Sequence, residues 1–131
     1  MTLTPEQLAQ SMPFFALIGA EIDSATPEEV RARLAWDESR CTAGGILHGG
    51  ALMALADGCG GVCAFLNLPE GAGGTATIES KTNFFRPVSS GSVHAVSTLL
   101  NKSRSTITVD TELRNDDGKL VARVTQTQAG L

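Results

Sequence analysis

His48, Gly49 and Gly50 are followed, nine positions after the histidine, by Asp57, the one charged residue between His48 and Leu66. If this stretch is a helix, its first N–H groups have no partner inside it and carry the positive end of its dipole. Such a start, bare of side chain at Gly49, suits an oxygen that gains negative charge. A carboxylate can attack a carbonyl carbon itself or take a proton from an attacking water. The pair therefore fits addition to a carbonyl, with the oxyanion held at one point and the nucleophile supplied at another. One helix cannot bring the two together. Nine residues span about 13–14 Å of helix axis and roughly 180° of rotation. If His48-Gly49 and Asp57 serve one site, two helices must contribute, most simply from two copies around a two-fold axis. Each residue also has an ordinary reading: Asp57 as a hydrogen-bonded residue of a buried helix, His48 as a helix cap.

The elements that must position these residues follow from patterning. Thr4-Pro5-Glu6-Gln7 is a helix start, with Thr4 as cap, Pro5 at the first helical position and Gln7 where a capping box needs it. That helix should run from Pro5 to Ser11, with Phe14-Phe15-Ala16-Leu17 as an apolar plug after Pro13. A strand over Ile18–Ala25 and a turn at Thr26-Pro27 come next. Val30, Ala32, Leu34 and Trp36 then alternate with Arg31, Arg33 and Ala35, the period of a half-buried strand. Cys41 to Gly50 is rich in glycine and small residues. From His48 to Leu66 apolar residues fall on every side, which predicts a long buried helix. Gly58, Gly60 and Gly61 weaken it locally and predict close approach of another backbone. After a loop at Pro69–Gly74, four strands fit: Thr75–Arg86, Ser92–Leu100, Thr106–Asn115 and Lys119–Gln128. In the third, Ile107, Val109, Thr111 and Leu113 share one face, and Asn115-Asp116-Asp117-Gly118 makes the following hairpin turn. One long apolar helix and six antiparallel strands predict an α+β fold, a sheet curled around the helix.

Residues 1–131 make one domain by length. With 42% hydrophobic and 18% charged residues the chain is neither a disordered tail nor a membrane protein. A net charge of −4 argues against nucleic acid as a partner. Cys59 and Cys63 could share a helix face, but no second Cys/His pair completes a four-ligand site, so no metal is expected. Both read as core, and His94 as an ordinary strand residue. The opening Met-Thr-Leu-Thr-Pro-Glu does not look like a secretory signal, and three cysteines are an odd number, so a cytoplasmic protein with free thiols is expected.

The run from Gly45 to Asp57, with Asn83-Phe84-Phe85-Arg86-Pro87 and the order of elements, resembles the hotdog-fold acyl-CoA thioesterases of the phenylacetate-pathway and 4-hydroxybenzoyl-CoA type. The resemblance extends over about Ile18 to Ala129. It implies a hotdog fold and hydrolysis of an acyl- or aryl-CoA thioester to a free acid and coenzyme A. It also implies dimers that set the helix start of one subunit opposite the acid of the other, with a tetramer as a pair of dimers. No resident cofactor is implied. In this reading Gly49 holds the oxyanion and Asp57 is nucleophile or general base. His48 orients the helix start or bonds near the thioester.

Two further positions carry over. Six residues before the histidine, where the family commonly has Asn or Gln, stands Thr42, with a shorter reach. Ten residues before Pro87 stands Thr77, which keeps the hydroxyl that can hold an attacking water. Coenzyme A needs cations for its phosphates. Gly50, Arg86 and Pro87, and the turn Lys102-Ser103-Arg104, are the candidates to bind it. Phe14, Phe15 and Met53 are candidates to line the acyl pocket. Two other readings stay open. A hotdog hydratase or dehydratase would bring an Asp-x-Asn-x-x-His run, which is absent; a non-catalytic acyl-CoA or lipid-binding module would keep the fold without turnover.

Overall fold

The longest helix, α3 (Gly49–Phe65), lies across one face of a six-stranded antiparallel sheet in the order β1-β2-β4-β5-β6-β3. The strands are β1 (Glu21–Ala25), β2 (Val30–Ala35), β3 (Thr75–Phe84), β4 (Ser92–Lys102), β5 (Thr106–Arg114) and β6 (Leu120–Gly130). The computed structural model describes residues 2–131. Because α3 follows β2 and precedes β3, and β3 pairs at the far edge, the connection carries the helix over the sheet between them. The α+β arrangement of a sheet curled around a central helix is the expected one.

The alternations predicted from sequence set the core. Val30, Ala32 and Leu34 of β2, Val93 and Ala95 of β4, and Ile107, Val109 and Leu113 of β5 are all buried against Leu52, Leu55, Ala56, Cys59 and Cys63 of α3. Cys59 and Cys63 are core residues, and burial pushes their thiols up to about 12 and about 11. His94 lies on the half-buried outer side of β4, where its Nε2 is 2.8 Å from Asp116 of the β5–β6 turn.

Three expectations are corrected. Pro13 does not end the helical region; it opens a second short helix, α2 (Pro13–Leu17), after α1 (Pro5–Gln10), because Pro suits the first helical position. The first strand begins at Glu21 rather than Ile18, since Ile18 caps α2. The α3 glycines admit side chains, not another backbone: Phe15 packs over Gly58, Gln126 reaches Gly60, and nothing in the protomer meets a methyl at Gly61. Gly58→Ala would drive a methyl into the Phe15 ring, itself buried. Overpacking costs about 1–3 kcal/mol against about 1 kcal/mol gained in helix propensity. A thermal melt should therefore show Gly58→Ala below the parent, despite its better helix former.

The helix is also not buried all round. Gly50, Met53, Ala54, Asp57, Gly61 and Phe65 recur at helical spacing and stay half-exposed or exposed. This stripe is small or apolar apart from Asp57. It adjoins β3, an edge strand of ten residues on which every position keeps solvent access, including Ile78 at 58% and Phe84 at 50%. The other edge, β1, is short, bulged between Ile22 and Ser24, and bears Glu21 and Asp23, both paired with Arg33 of β2. Bulges and charge are the usual protection of an edge; β3 presents a longer and more apolar one.

Candidate active site

The start of α3 is fixed by the loop before it. Gly44 and Gly45 take positive φ (88° and 75°), a conformation that costs a side chain strain and turns the chain back on itself. The loop is closed by Thr42 N–H to the Ile46 carbonyl (2.9 Å) and by Trp36 Nε1–H to the Gly45 carbonyl (2.9 Å). Leu47 N–H donates to Val88 O and His48 N–H to Arg40 O, both at 2.9 Å. His48 is the N-cap: its Nδ1 accepts from Gly50 N–H at 2.7 Å. Ala51 N–H bonds the His48 carbonyl at 2.9 Å. Among the described residues, that leaves Gly49 as the one of the first three helical N–H groups without a partner. The expected oxyanion donor is thus free, and the histidine does the capping work that frees it. Gly50 is different. Its N–H is occupied, and its missing side chain makes room for the His48 ring, 2.9 Å from where a methyl would sit.

The cleft in front of Gly49 brings together Thr42, Phe84, Phe85, Arg86 and Pro87. The Phe84 ring stands over Gly49, with Cζ 3.2 Å from a hypothetical methyl there. Asp57 opens elsewhere, into two adjoining cavities that share Met12, Asp57 and Gly58. One, of about 450 Å³, is walled by Leu8, Val62, Phe65, Thr75, Thr77 and Gln128. The other holds Phe14, Phe15, Met53 and Ser80, so the three candidate acyl-lining residues do gather at the carboxylate. Apolar walls raise the Asp57 pKa above the usual carboxylate value of 3.8 by desolvation, partly opposed by a hydrogen bond from the Thr77 hydroxyl. Within one protomer, Gly49 and Asp57 open into different clefts, as the helix arithmetic requires.

Sequence reasoning missed Ser80. Thr77 and Ser80 are three apart and would lie on opposite faces of a regular strand. A bulge between Thr77 and Glu79 shifts the parity, and both reach the Asp57 cavities. It also missed Gln126 and Gln128, buried at 0% and 2% exposure. They share strand parity with buried Val124, which was the available signal.

The basic candidates do not meet in one protomer. Arg86 donates to the carbonyl of Leu120, where β6 begins (3.1 Å), whereas the Lys102–Arg104 turn abuts Gly130, where β6 ends, through its neighbour Ser105. Ten strand steps, about 33 Å, separate them. The Ser103 hydroxyl is engaged within its own turn, 2.6 Å from Thr106 Oγ1. Lys102 Nζ approaches the Leu68 carbonyl at 3.5 Å.

The profile of the Thioesterase superfamily matches residues 44–122, from the loop before α3 to the start of β6. A Haemophilus influenzae protein named provisionally as an esterase is 32% identical over 128 residues, covering 95% of this chain and 92% of the relative. The crystal structure of a thioesterase from the same species superposes with a TM-score of 0.90 at 30% identity, covering 98% of this chain and 91% of the other. A mutant of the phenylacetic acid degradation protein PaaI from Thermus thermophilus superposes with a TM-score of 0.83 at 29% identity, covering 91% and 99%.

Proposed function

The chain belongs to the Thioesterase superfamily and has its hotdog fold, and from that premise we propose that it hydrolyses acyl- or aryl-CoA thioesters at sites shared between two subunits. The observation that carries the reading is Asp57: among the described residues, the one carboxylate on a largely apolar cavity with room for an acyl group, sharing that cavity with the Thr77 hydroxyl, its pKa raised by desolvation. The Gly49 N–H of one protomer binds the thioester oxygen. Asp57 of the other protomer takes a proton from water, for which a raised pKa suits it. The water oxygen adds to the carbonyl carbon, and the negative charge that develops on the former carbonyl oxygen rests at the helix start. Collapse breaks the carbon–sulfur bond, and the proton held by Asp57 passes to the departing sulfur, releasing the carboxylic acid and the thiol of coenzyme A and restoring the carboxylate. No metal or resident cofactor takes part in this scheme.

Two features support the shared site. The exposed stripe of α3 and the long β3 edge form one continuous face suited to a second copy. If two β3 edges pair antiparallel, the Arg86 end of one protomer meets the Lys102 end of its partner. Arg86 and the partner's Lys102 and Arg104 then flank one coenzyme A, and two such dimers pair as a tetramer. We place the protein in the cytoplasm, where Cys41, Cys59 and Cys63 stay as free thiols; among the described residues no helix is long and apolar enough to cross a membrane.

The test is thiol release from a panel of aryl-, short-chain and medium-chain acyl-CoAs. No turnover of any member would leave the non-catalytic binding module as the better reading. On the substrate used best, Arg86→Ala and Arg104→Ala should each raise KM several-fold with kcat nearly unchanged, and should leave the matching acyl-pantetheine untouched. Binding lost away from the reacting carbon has that signature. Equal losses on both thioesters would reject the phosphate contacts.

A further inference from the structure

We propose that Gln126 and Gln128 are positioning residues, a buried and directional chain of amide hydrogen bonds that holds the Thr77 hydroxyl as a donor to Asp57. The inference builds on the reading of Asp57 as the working carboxylate. Its direction follows from what each atom can do. The Ala56 carbonyl can only accept, so the atom of Gln126 lying 3.2 Å from it is the nitrogen. Gln126 Oε1 then faces Gln128 and accepts from its Nε2 at 2.8 Å. The second hydrogen on Gln128 Nε2 goes to Thr77 Oγ1 at 2.7 Å. Thr77 accepts there, so its own proton is free to donate, and the Asp57 carboxylate lines the same cavity as Thr77. The chain begins and ends on neighbouring residues of α3, Ala56 and Asp57.

Its construction is specific. Gly60 has no side chain where a methyl would collide with Gln126 Nε2, so the glycine opens the way for the amide to reach the helix backbone. Amides in the core are costly to desolvate and are tolerated when every polar atom is paired. The neighbouring core positions Val109 and Val124 are apolar, and a leucine at 126 or 128 would serve burial as well. The pair instead carries its hydrogen bonds from the Ala56 carbonyl out to the hydroxyl on the carboxylate's cavity. Around Asp57, among the described residues, those lining its cavities from the N-terminal segment, α1, α2, α3, β3 and β6 include no other titratable group. Within the protomer, the Thr77 hydroxyl is therefore the main local influence that favours the ionised form.

The experiment reads Asp57 directly, through its ¹³C carboxyl shift against pH in protein labelled at aspartate, and separately reads kcat and KM on benzoyl-CoA and hexanoyl-CoA. Gln128→Leu should move the Asp57 midpoint to higher pH, as Thr77→Val does, because a hydrogen bond to the charged form is lost. Thr77→Ser should keep the parent midpoint. Adding Gln128→Leu to Thr77→Val should move it no further, since the glutamine acts through the hydroxyl. On turnover, Gln128→Leu should lower kcat roughly tenfold to a hundredfold with KM within about twofold. Should Gln128→Leu alone fail to fold, the Gln126→Leu/Gln128→Leu pair removes both amides together and makes the same comparison. A parent-like Asp57 midpoint in the folded glutamine variants overturns the proposal, as does an undiminished shift in the Thr77→Val background. The coupled midpoints with no hydrolysis of either thioester by the parent would instead count against the thioesterase reading and leave the chain of bonds standing.

Discussion

Asp57→Asn should fold, melt no lower than the parent at neutral pH, and lose at least about 100-fold in turnover, the low end of what a placed proton-transfer group contributes. The change keeps the size of the side chain and an oxygen for the Thr77 hydroxyl, but removes the proton acceptor. The stability side has a definite sign. The folded-state pKa of Asp57 is raised above its ordinary value of 3.8, chiefly by desolvation. Between the unfolded and folded values the native state holds more protons, so parent stability falls as pH rises through that window. Below the window the carboxyl is neutral in both states. The asparagine variant cannot ionise, so its advantage over the parent grows through the window and persists at pH 7. The same shift sets the acid limb of the parent's kcat/KM profile above the ordinary carboxylate range. A folded variant with near-normal hydrolysis would remove Asp57 from the chemistry. A variant that melts well below the parent at pH 7 would show that the carboxylate supports the fold instead of straining it.

Much of this arrangement is legible in the chain, and the illegible parts have physical causes. The alternation of Ile107, Val109, Thr111 and Leu113 faces the core as the period of two requires. The Thr4–Gln7 capping box forms in full. The segment Phe14–Leu17 is too short to show a helical period, so α2 is visible in sequence only through Pro13. The bulge after Thr77 depends on pairing with β6, a partner more than forty residues away, and it alone brings Ser80 to Asp57. Gln126 and Gln128 resemble a solvated strand face until their parity is traced from Val124. The apolar circumference of α3 reads as burial within one chain, whereas its Met53–Asp57–Phe65 stripe stays open in the protomer. A sequence records that a surface wants to be covered and leaves unsaid whether the cover comes from the same chain.

Mixing two inactive variants should restore activity if the second copy supplies that cover. One variant is Asp57→Asn; the other is Gly49→Pro, which deletes the single unpartnered N–H at the start of α3. Proline is tolerated at the first helical position, and His48 before it already has φ −63° and ψ 135°, the extended conformation a residue preceding proline prefers. The Phe84 ring must yield slightly to the new side chain, so the helix should survive while the oxyanion loses its donor. Removing one such donor costs about 10²–10³ in kcat. In a heterodimer, one site joins the Asp57→Asn change of one chain to the Gly49→Pro change of the other and carries both defects. The second site combines an intact Gly49 with an intact Asp57 and carries neither. Each heterodimer should therefore work at up to half the parent rate. Random exchange of equal amounts makes half of the dimers heterodimers, so the mixture should recover about a quarter of parental activity from two nearly silent preparations. Native mass spectrometry of one isotopically labelled variant reports the exchange. If heterodimers form and activity stays at the level of the separate variants, the two groups do not meet across the two-fold axis, and the shared site is wrong. A fully active monomer at assay concentration would reject it equally, because along one helix Gly49 and Asp57 lie about 12 Å apart, too far to address one carbonyl.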